Sequence, residues 1–331
     1  MDWGSIFSGS LSEALGPTAV IYALAAIGLN VNFGYTGLLN FGQAGFMAVG
    51  GYAMSSFIAT WGLPFWLALL AGIFFALVLA LLLGAPTLKL RADYLAIVTI
   101  AAAEIIRQTL GSVTLLKWFG GQDGVIKFQR PFAELNPYSS GVDLGFVKWS
   151  AFDFWVMTCG WLLVALGCVV VWLLMRAPWG RVMKAIREDE DAVRSLGKNV
   201  FSYKMQSLMI GGVFGALAGF ATALYHANMS PSWVATDVTF FAYTVLLLGG
   251  AARVLGPVVG SIIFYFLITL LDLIFSAMTA GTDPILPTWL MTSQQASLMR
   301  LIVMGLALML LMIYRPQGIF GDRRELAIDA R

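Results

Sequence analysis

The sequence is poor in charged residues and in the residues that usually form catalytic or metal sites. Only 11% of its 331 residues are Asp, Glu, Lys or Arg, and it has one histidine and two cysteines. A metal or nucleophile site is not expected, because such sites need clustered His, Cys or carboxylate groups. Cys159 and Cys168 lie nine positions apart in one apolar segment, on roughly opposite faces of a helix, so they are not expected to form a disulfide.

Further absences exclude other classes of function. The sequence has no Gly-x-x-x-x-Gly-Lys-Ser/Thr phosphate loop, so this chain cannot bind ATP by that means and no cofactor is expected in it. It has no stripe of basic residues and no known nucleic-acid recognition motif, which disfavours nucleic-acid binding. The start, Met1-Asp2-Trp3, lacks the positive region of a cleavable signal peptide.

Apolar residues are abundant instead and make up 59% of the chain, which predicts an all-α polytopic membrane protein in a lipid bilayer. The chain is expected to form one transmembrane domain over 1–331. Glycines interrupt the second predicted span and the seventh is short, so either is predicted to be a half-helix or a re-entrant turn. The nine predicted spans are residues 16–33, 40–59, 64–85, 94–111, 153–175, 206–226, 239–253, 257–276 and 297–314.

The distribution of basic residues predicts the orientation of these spans. Fourteen basic residues, among them Lys89 and Arg91, fall on the side of residues 176–205 and of the C-terminal tail, 316–331. Only four fall on the opposite side: Lys117, Lys127, Arg130 and Lys148. Under the positive-inside rule, residues 176–205 and 316–331 are therefore cytoplasmic, and the N-terminus lies outside.

Two connecting segments have distinctive sequences. Residues 176–205, the central segment, are charged and rich in helix formers, which predicts one or two short helices ending near Gly197. The segment either receives a soluble partner or merely fixes the topology. Residues 112–152 contain the turn formers Gly120-Gly121-Gln122-Asp123-Gly124, which predict an external cap with short strands or turns, or else a passive connector.

Glycine-rich stretches occur in both halves of the chain, and neutral amides flank the first one. Interruptions in corresponding parts of two halves are typical of a pathway near the middle of the membrane, although glycines also serve close helix packing. Amides could line such a path, or could join helices by hydrogen bonds. The candidate path residues are Asn30, Asn32, Asn40, Gln43, Gly42, Gly45, Gly249 and Gly250.

Three ionisable residues within predicted spans are candidate buried charges. Glu104 and Arg107, three residues apart in the fourth span, can meet on one helix face, and Asp272 lies in the eighth. Buried charges in spans are often functional, but the same residues could lock helix packing or lie near the outer interface. The acidic residues Glu104 and Asp272 would be the coupling residues if the chain were a stand-alone ion-coupled transporter.

Four stretches taken in order resemble the permease subunits of bacterial branched-chain amino-acid ABC importers, most closely the LivM-like member of the pair. They are residues 34–45, the Gly-Gly-x-Asp-Gly of 120–124, the charged 185–190, and Leu248-Gly249-Gly250 with the glycines of 256–260. The resemblance extends from about residue 21 to residue 318. Each stretch alone is unspecific, but their combination in this order is specific.

The resemblance implies a transport subunit rather than an enzyme, in the inner membrane of a bacterial cell. It implies a second, LivH-like permease, two cytoplasmic ATPases that bind ATP, and an external solute-binding protein. The central segment would then be the coupling element; Asp191 departs from the usual first alanine of the family's Glu-Ala-Ala loop. A urea or short-amide importer remains an alternative. The expected coupling residues are Arg187, Glu188, Asp189, Glu190, Asp191, Ala192 and Gly197.

Overall fold

The computed structural model describes residues 3–88, 92–143, 145, 147–279, 293–315 and 317–321. Lys89, Arg91 and most of the predicted tail over 316–331 lie outside the described residues. The described chain is mainly α-helical. Its helices are α1 (Trp3–Leu15), α2 (Pro17–Leu29, continued by a π-helical stretch over Asn30–Tyr35), α3 (Gln43–Ala59), α4 (Phe65–Thr87), α5 (Ala92–Leu110), α6 (Leu116–Phe119), α7 (Arg130–Ala133), α8 (Ala151–Arg176), α9 (Pro178–Glu188), α10 (Glu190–Ser195), α11 (Val200–His226), α12 (Thr236–Gly249), α13 (Gly256–Thr279) and α14 (Ser293–Tyr314).

Each of the nine predicted spans coincides with a helix, but the helices differ in length. Within the described residues, α2 with its π-helical end, α4, α8, α11 and α13 are each long and apolar enough to cross a membrane. A sixth is added if α5 and the short helices after it, which bend by 57°, count as one span. Helix α3 has 17 residues and α12 has 14, so both predicted interrupted spans are short helices. The fold is that of an all-α polytopic membrane protein.

Helices α2, α3 and α11 form the centre of the molecule, and α11 packs against α2, α3 and α4. Glycine allows α3 and α11 to approach closely. A Cβ added at Gly219 would lie 2.1 Å from the carbonyl oxygen of Met47, and one at Gly50 would lie 2.5 Å from the Cα of Ala216. Small residues are the usual means by which membrane helices pack, because lipid provides no hydrophobic drive for their association.

The outer helices present large apolar side chains on their exposed faces. Most residues of α4, α8 and α13 are exposed or only partly buried, whereas most of α2 and α11 is buried. On α4, Trp66 and Leu82 are exposed, and on α8 so are Leu162 and Leu166. Exposed apolar surface on this scale is not stable in water, so these faces contact lipid or other membrane subunits.

The 112–152 segment contains short strands and turns. Strand β1 (Val125–Ile126) pairs with β4 (Asn228–Met229), which follows α11, and β2 (Val142–Asp143) pairs with β3 (Lys148–Trp149). Across the second pair, the Lys148 ammonium lies 2.7 Å from the Asp143 carboxylate and lowers the pKa of that carboxyl. The first pairing ties this segment to the core.

Helix α1 was not predicted from the sequence. It packs against α13, where Phe7 and Phe266 meet edge to face at 5.6 Å. Its end is also tied to α8, because the Trp161 indole N–H donates to the Leu15 carbonyl at 2.8 Å. The 13 residues of this helix are too few for a span, which is why an apolar run does not reveal it.

Candidate functional site

The central segment contains two short helices, α9 and α10. Pro178 occupies the first turn of α9, where its missing N–H costs nothing. Met183 and Ile186 face inward and pack with Val193 of α10 and Val200 of α11 in a small apolar core separate from the main one. This small core therefore holds α9 and α10 against the N-terminal end of α11.

Both ends of α10 are capped by the chain itself. The Asp189 carboxylate accepts the N–H groups of Asp191 and Ala192 at 2.9 and 3.0 Å, which makes Asp189 the N-cap. At the other end Gly197 has φ +74°, and its N–H donates to the Arg194 carbonyl at 3.0 Å while the following N–H reaches that of Val193. This is a Schellman C-cap, which favours glycine because of the left-handed conformation.

The charges of α10 are divided between internal pairs and an exposed surface. Glu190 accepts hydrogen bonds from Arg194, at 2.8 Å, and from Lys204 on α11, whose side chain is only 13% exposed. The Glu190–Lys204 pair joins α10 to α11. The side chain of Asp191 is exposed, and Leu196 at the tip of the segment is 79% exposed. Sequence reasoning did not single out Leu196; its only signal was an apolar residue beside a C-capping glycine.

Arg187 connects the central segment to the interrupted end of α2. Its Nη1 donates to the carbonyl oxygen of Gly34 at 2.6 Å, within the π-helical stretch. Its side chain also covers Gly37, where an added Cβ would lie 3.8 Å from the Cβ of Arg187. The Lys184 ammonium lies 5.8 Å from the centre of the Tyr35 ring. Helix α9 thus rests directly on the point where α2 ends.

Residues 37–42 are not helical and lead from α2 to α3 through the interior. Gly37, with φ +73°, begins this 37–42 segment, and the N–H of Leu38 donates to the Asn32 carbonyl at 2.9 Å. Asn40 closes the segment: its Oδ1 accepts the N–H of Gly42 at 2.9 Å, and its carbonyl accepts the hydroxyl of Tyr243 at 3.0 Å. The side chains of Asn40 and Tyr243 therefore satisfy backbone groups that have no helical partner where the helix is broken at the 37–42 segment.

The amides around this break are all buried and take part in hydrogen bonds. Asn30 accepts the N–H of Ala252 and donates to the carbonyl of Arg253, both at 2.8 Å, in the turn between α12 and α13. Gln43 donates to carbonyls of α2 and α11, at 3.3 and 3.2 Å. Asn32 accepts the hydroxyl of Ser207 at 3.3 Å, and its Nδ2 has no partner among the described residues. The structure thus gives these amides packing contacts, and their place in a path stays a prediction.

The candidate path glycines lie at close helix contacts. A Cβ at Gly42 would be 2.8 Å from the Thr99 carbonyl, and one at Gly45 would be 3.0 Å from the Cα of Ala103, both on α5. A Cβ at Gly249 would lie 1.8 Å from the Gly256 carbonyl oxygen, so α12 and α13 nearly touch there. Gly250 follows with φ +108° and begins the turn that Asn30 holds.

The three candidate buried charges, Glu104, Arg107 and Asp272, all have partners. Glu104 accepts hydrogen bonds from Arg107 at 2.8 Å and from Gln108 at 2.8 Å on its own helix, and from Thr236 at 3.3 Å. Asp272 lies 2.8 Å from Arg300, which joins α13 to α14. Among the described residues there is no cluster of three potential metal ligands. Pairing of this kind is what helix packing requires of charges within spans.

Known proteins resemble this chain over nearly its whole length. A family model described as branched-chain amino acid transport system, permease component, matches residues 15–313. The high-affinity branched-chain amino acid transport system permease protein LivM of Salmonella typhimurium is 30% identical over 325 residues, covering 92% of this chain and 69% of that protein. LivM of Escherichia coli gives 30% over 324 residues with the same coverage. A probable LivM of Methanocaldococcus jannaschii is 26% identical, covering 92% of this chain and 91% of that protein.

Proposed function

Because the chain belongs to the family of permease components of branched-chain amino-acid transport systems, we propose that it is the membrane-spanning subunit through which an ABC importer admits these amino acids. As a multi-pass membrane protein of this family, it is a transport subunit and carries out no covalent chemistry. It works with a second, LivH-like permease, two cytoplasmic ATPases and an external solute-binding protein, in the inner membrane of a bacterial cell. ATP is bound by the partner subunits.

The proposed orientation has nine membrane segments, with the N-terminus outside and both the central segment and the tail in the cytoplasm. Helices α3 and α12 cross only part of the membrane, since each is short and continues into a non-helical stretch within the protein. The 112–152 segment forms the external cap on which the loaded binding protein docks. This arrangement puts α9 and α10 on the ATPase side.

The contact between Arg187 and Gly34 is the observation that carries this proposal. Helices α9 and α10 pack on a shared apolar core, and they present Asp191, Ala192 and Leu196 to the cytoplasm. Through Arg187, α9 also contacts the end of α2 and the 37–42 segment. Closure of the ATPases would displace α9, and the Arg187 contact would pass that displacement to the break in α2. The path opens to one side or the other by the movement of this break.

The exposed leucine at the tip of the central segment is the residue that docks into the ATPase. Burying one leucine side chain stabilises a contact by about 2 kcal/mol, which corresponds to a roughly 30-fold change in affinity. Leu196→Glu should therefore remove the ATPases from a complex purified by a tag on this chain, whereas Leu135→Glu, on an exposed leucine of the external cap, should leave them bound.

The function itself is tested by uptake in liposomes. The four kinds of subunit are reconstituted, the binding protein is loaded with labelled leucine, isoleucine or valine, and ATP is supplied on the ATPase side. Accumulation that needs ATP, this chain and the binding protein supports the proposal. Uptake by this chain alone, driven by an ion gradient, would overturn it.

A further inference from the structure

A cavity of about 890 Å³ lies beside the C-terminal end of α8, and Tyr35 at the end of α2 lines one side of it. It is bounded by the last turn of α8, by α9, and by the turn and first residues of α13. Its walls are mostly apolar, with Trp172 and Val259 among them, and three basic residues lie around it: Arg176, Lys184 and Arg253. The lining residues that the structure describes include no aspartate or glutamate.

Two of the basic residues at the cavity lie over aromatic rings. The Arg176 guanidinium lies 3.9 Å from the centre of the Trp172 ring, and the Lys184 ammonium lies 5.8 Å from that of Tyr35. Neither Arg176 nor Lys184 forms an ion pair with a carboxylate of the described chain. Cation–π contacts orient these groups but do not neutralise them, so their charge is available to an anion.

The cavity is open at apolar side chains. Val169 and Trp172 of α8 and Leu255 of the turn before α13 line it and are exposed, and α8 ends beside it at Arg176. A site that is cationic at one end and apolar along its length fits a molecule with an anionic head and a hydrocarbon tail. A free inorganic anion would gain nothing from the apolar wall.

We propose that this cavity binds an anionic phospholipid. Its phosphate would lie between Arg176 and Lys184, and an acyl chain would lie against Trp172 and Val259. Basic pockets between helices at the cytoplasmic surface bind such headgroups. The bound lipid would bridge α8, α9 and the turn after α12, and so would brace the helix that carries Arg187. This site goes beyond the proposed transport function.

Native mass spectrometry of the full chain, purified in mild detergent, tests the proposal by titration with phosphatidylglycerol and with phosphatidylethanolamine. We expect phosphatidylglycerol to bind more tightly. The double variant Arg176→Gln/Lys184→Gln should weaken its binding about 25-fold, since each basic residue near the membrane surface contributes about fivefold. The matched variant Arg181→Gln/Lys198→Gln removes equal charge from the central segment away from the cavity and should have little effect.

A second variant and a competitor separate the remaining explanations. Val259→Trp fills the apolar wall without changing charge and should also weaken phosphatidylglycerol binding. Equal binding of the two lipids, or no effect of the Arg176 and Lys184 substitutions, would overturn the proposal. Displacement of the lipid by millimolar inorganic phosphate would show a plain anion site instead. If the isolated chain binds the lipid but the assembled transporter does not, the cavity is instead a contact surface for the second permease, and the proposal is overturned.

Discussion

Replacing Asn30 with leucine tests whether this amide holds the turn between α12 and α13. Asn30 is 1% exposed, and its two hydrogen bonds go to the Ala252 N–H and the Arg253 carbonyl. Leucine has nearly the same shape but leaves the Ala252 N–H unsatisfied, at about 1–3 kcal/mol, and removes one of the two hydrogen bonds of the Arg253 carbonyl, which keeps the bond from the Gly256 N–H, at about 1 kcal/mol. Unfolding should therefore be easier by about 2–4 kcal/mol. The free energy is measured by titrating SDS into detergent-solubilised protein and following tryptophan fluorescence.

Asn32 provides the matched control on the same helix. It is fully buried like Asn30, but its one side-chain hydrogen bond is a 3.3 Å contact from Ser207, and its Nδ2 has no partner among the described residues. Asn32→Leu should therefore cost only about 1 kcal/mol. The reasoning is refuted if Asn32→Leu destabilises as much as Asn30→Leu, or if Asn30→Leu unfolds like the unmodified chain.

Three other substitutions follow from particular contacts. Gly260→Leu should prevent stable folding, because its Cβ would lie 2.1 Å from the Val245 carbonyl, whereas Gly305→Leu, with nothing within 4 Å, should be tolerated; yield and monodispersity in detergent distinguish them. Gly197→Pro removes a capping N–H and cannot adopt φ +74°, so membrane insertion should persist while substrate-stimulated ATP hydrolysis is lost; normal stimulation would contradict the role of this turn. If Asn40 lines the path, Asn40→Leu should lower uptake with assembly intact, and unchanged uptake would leave it a packing residue.

The apolar runs of the sequence predicted the positions of the nine helices well, because spans are defined locally by length and hydropathy. They could not predict where a helix stops inside the protein. Helix α12 was expected over 239–253 and ends at Gly249, since Gly250 needs a left-handed φ and the turn after it is held by Asn30. Helix α1 was not predicted because it is too short and too polar to form an apolar run of the length of a span.

The glycines and turn residues of the sequence indicated where close contacts form, but not which residues form the other side of each contact. The Gly120-Gly121-Gln122-Asp123-Gly124 stretch predicted turns and short strands, and β1 begins directly after it. Its partner strand, β4, lies about a hundred residues later, and a Cβ at Gly124 would meet the Met229 carbonyl at 2.3 Å. Such pairings depend on the tertiary arrangement, which no local pattern encodes.

The candidate residues show the same limit. The central segment was predicted to form one or two short helices ending near Gly197, because propensity and capping are local. The contact from Arg187 to Gly34 crosses about 150 residues and was not foreseen. Likewise, Asp272 was noted without its partner Arg300, since their meeting depends on how α13 lies against α14.

A pair of cysteines at Gly37 and Arg187 tests most directly whether the central segment drives transport through the break in α2. A Cβ at Gly37 would lie 3.8 Å from that of Arg187, which is the separation a disulfide requires. Cysteine at the left-handed Gly37 position costs about 1–2 kcal/mol, which the fold can bear. With Cys159 and Cys168 replaced by alanine, the measured quantity is the amount of branched-chain amino acid imported per ATP hydrolysed in liposomes.

Under reducing conditions the Gly37→Cys/Arg187→Cys chain lacks the Arg187 hydrogen bond, so import per ATP should fall several-fold. Oxidation should restore it, because the disulfide makes α9 and the 37–42 segment move together again. The single variant Arg187→Cys cannot form this disulfide, so its import per ATP should be equally low under reducing and oxidising conditions. Normal coupling in the reduced protein, or no recovery in fully cross-linked protein, would contradict the account.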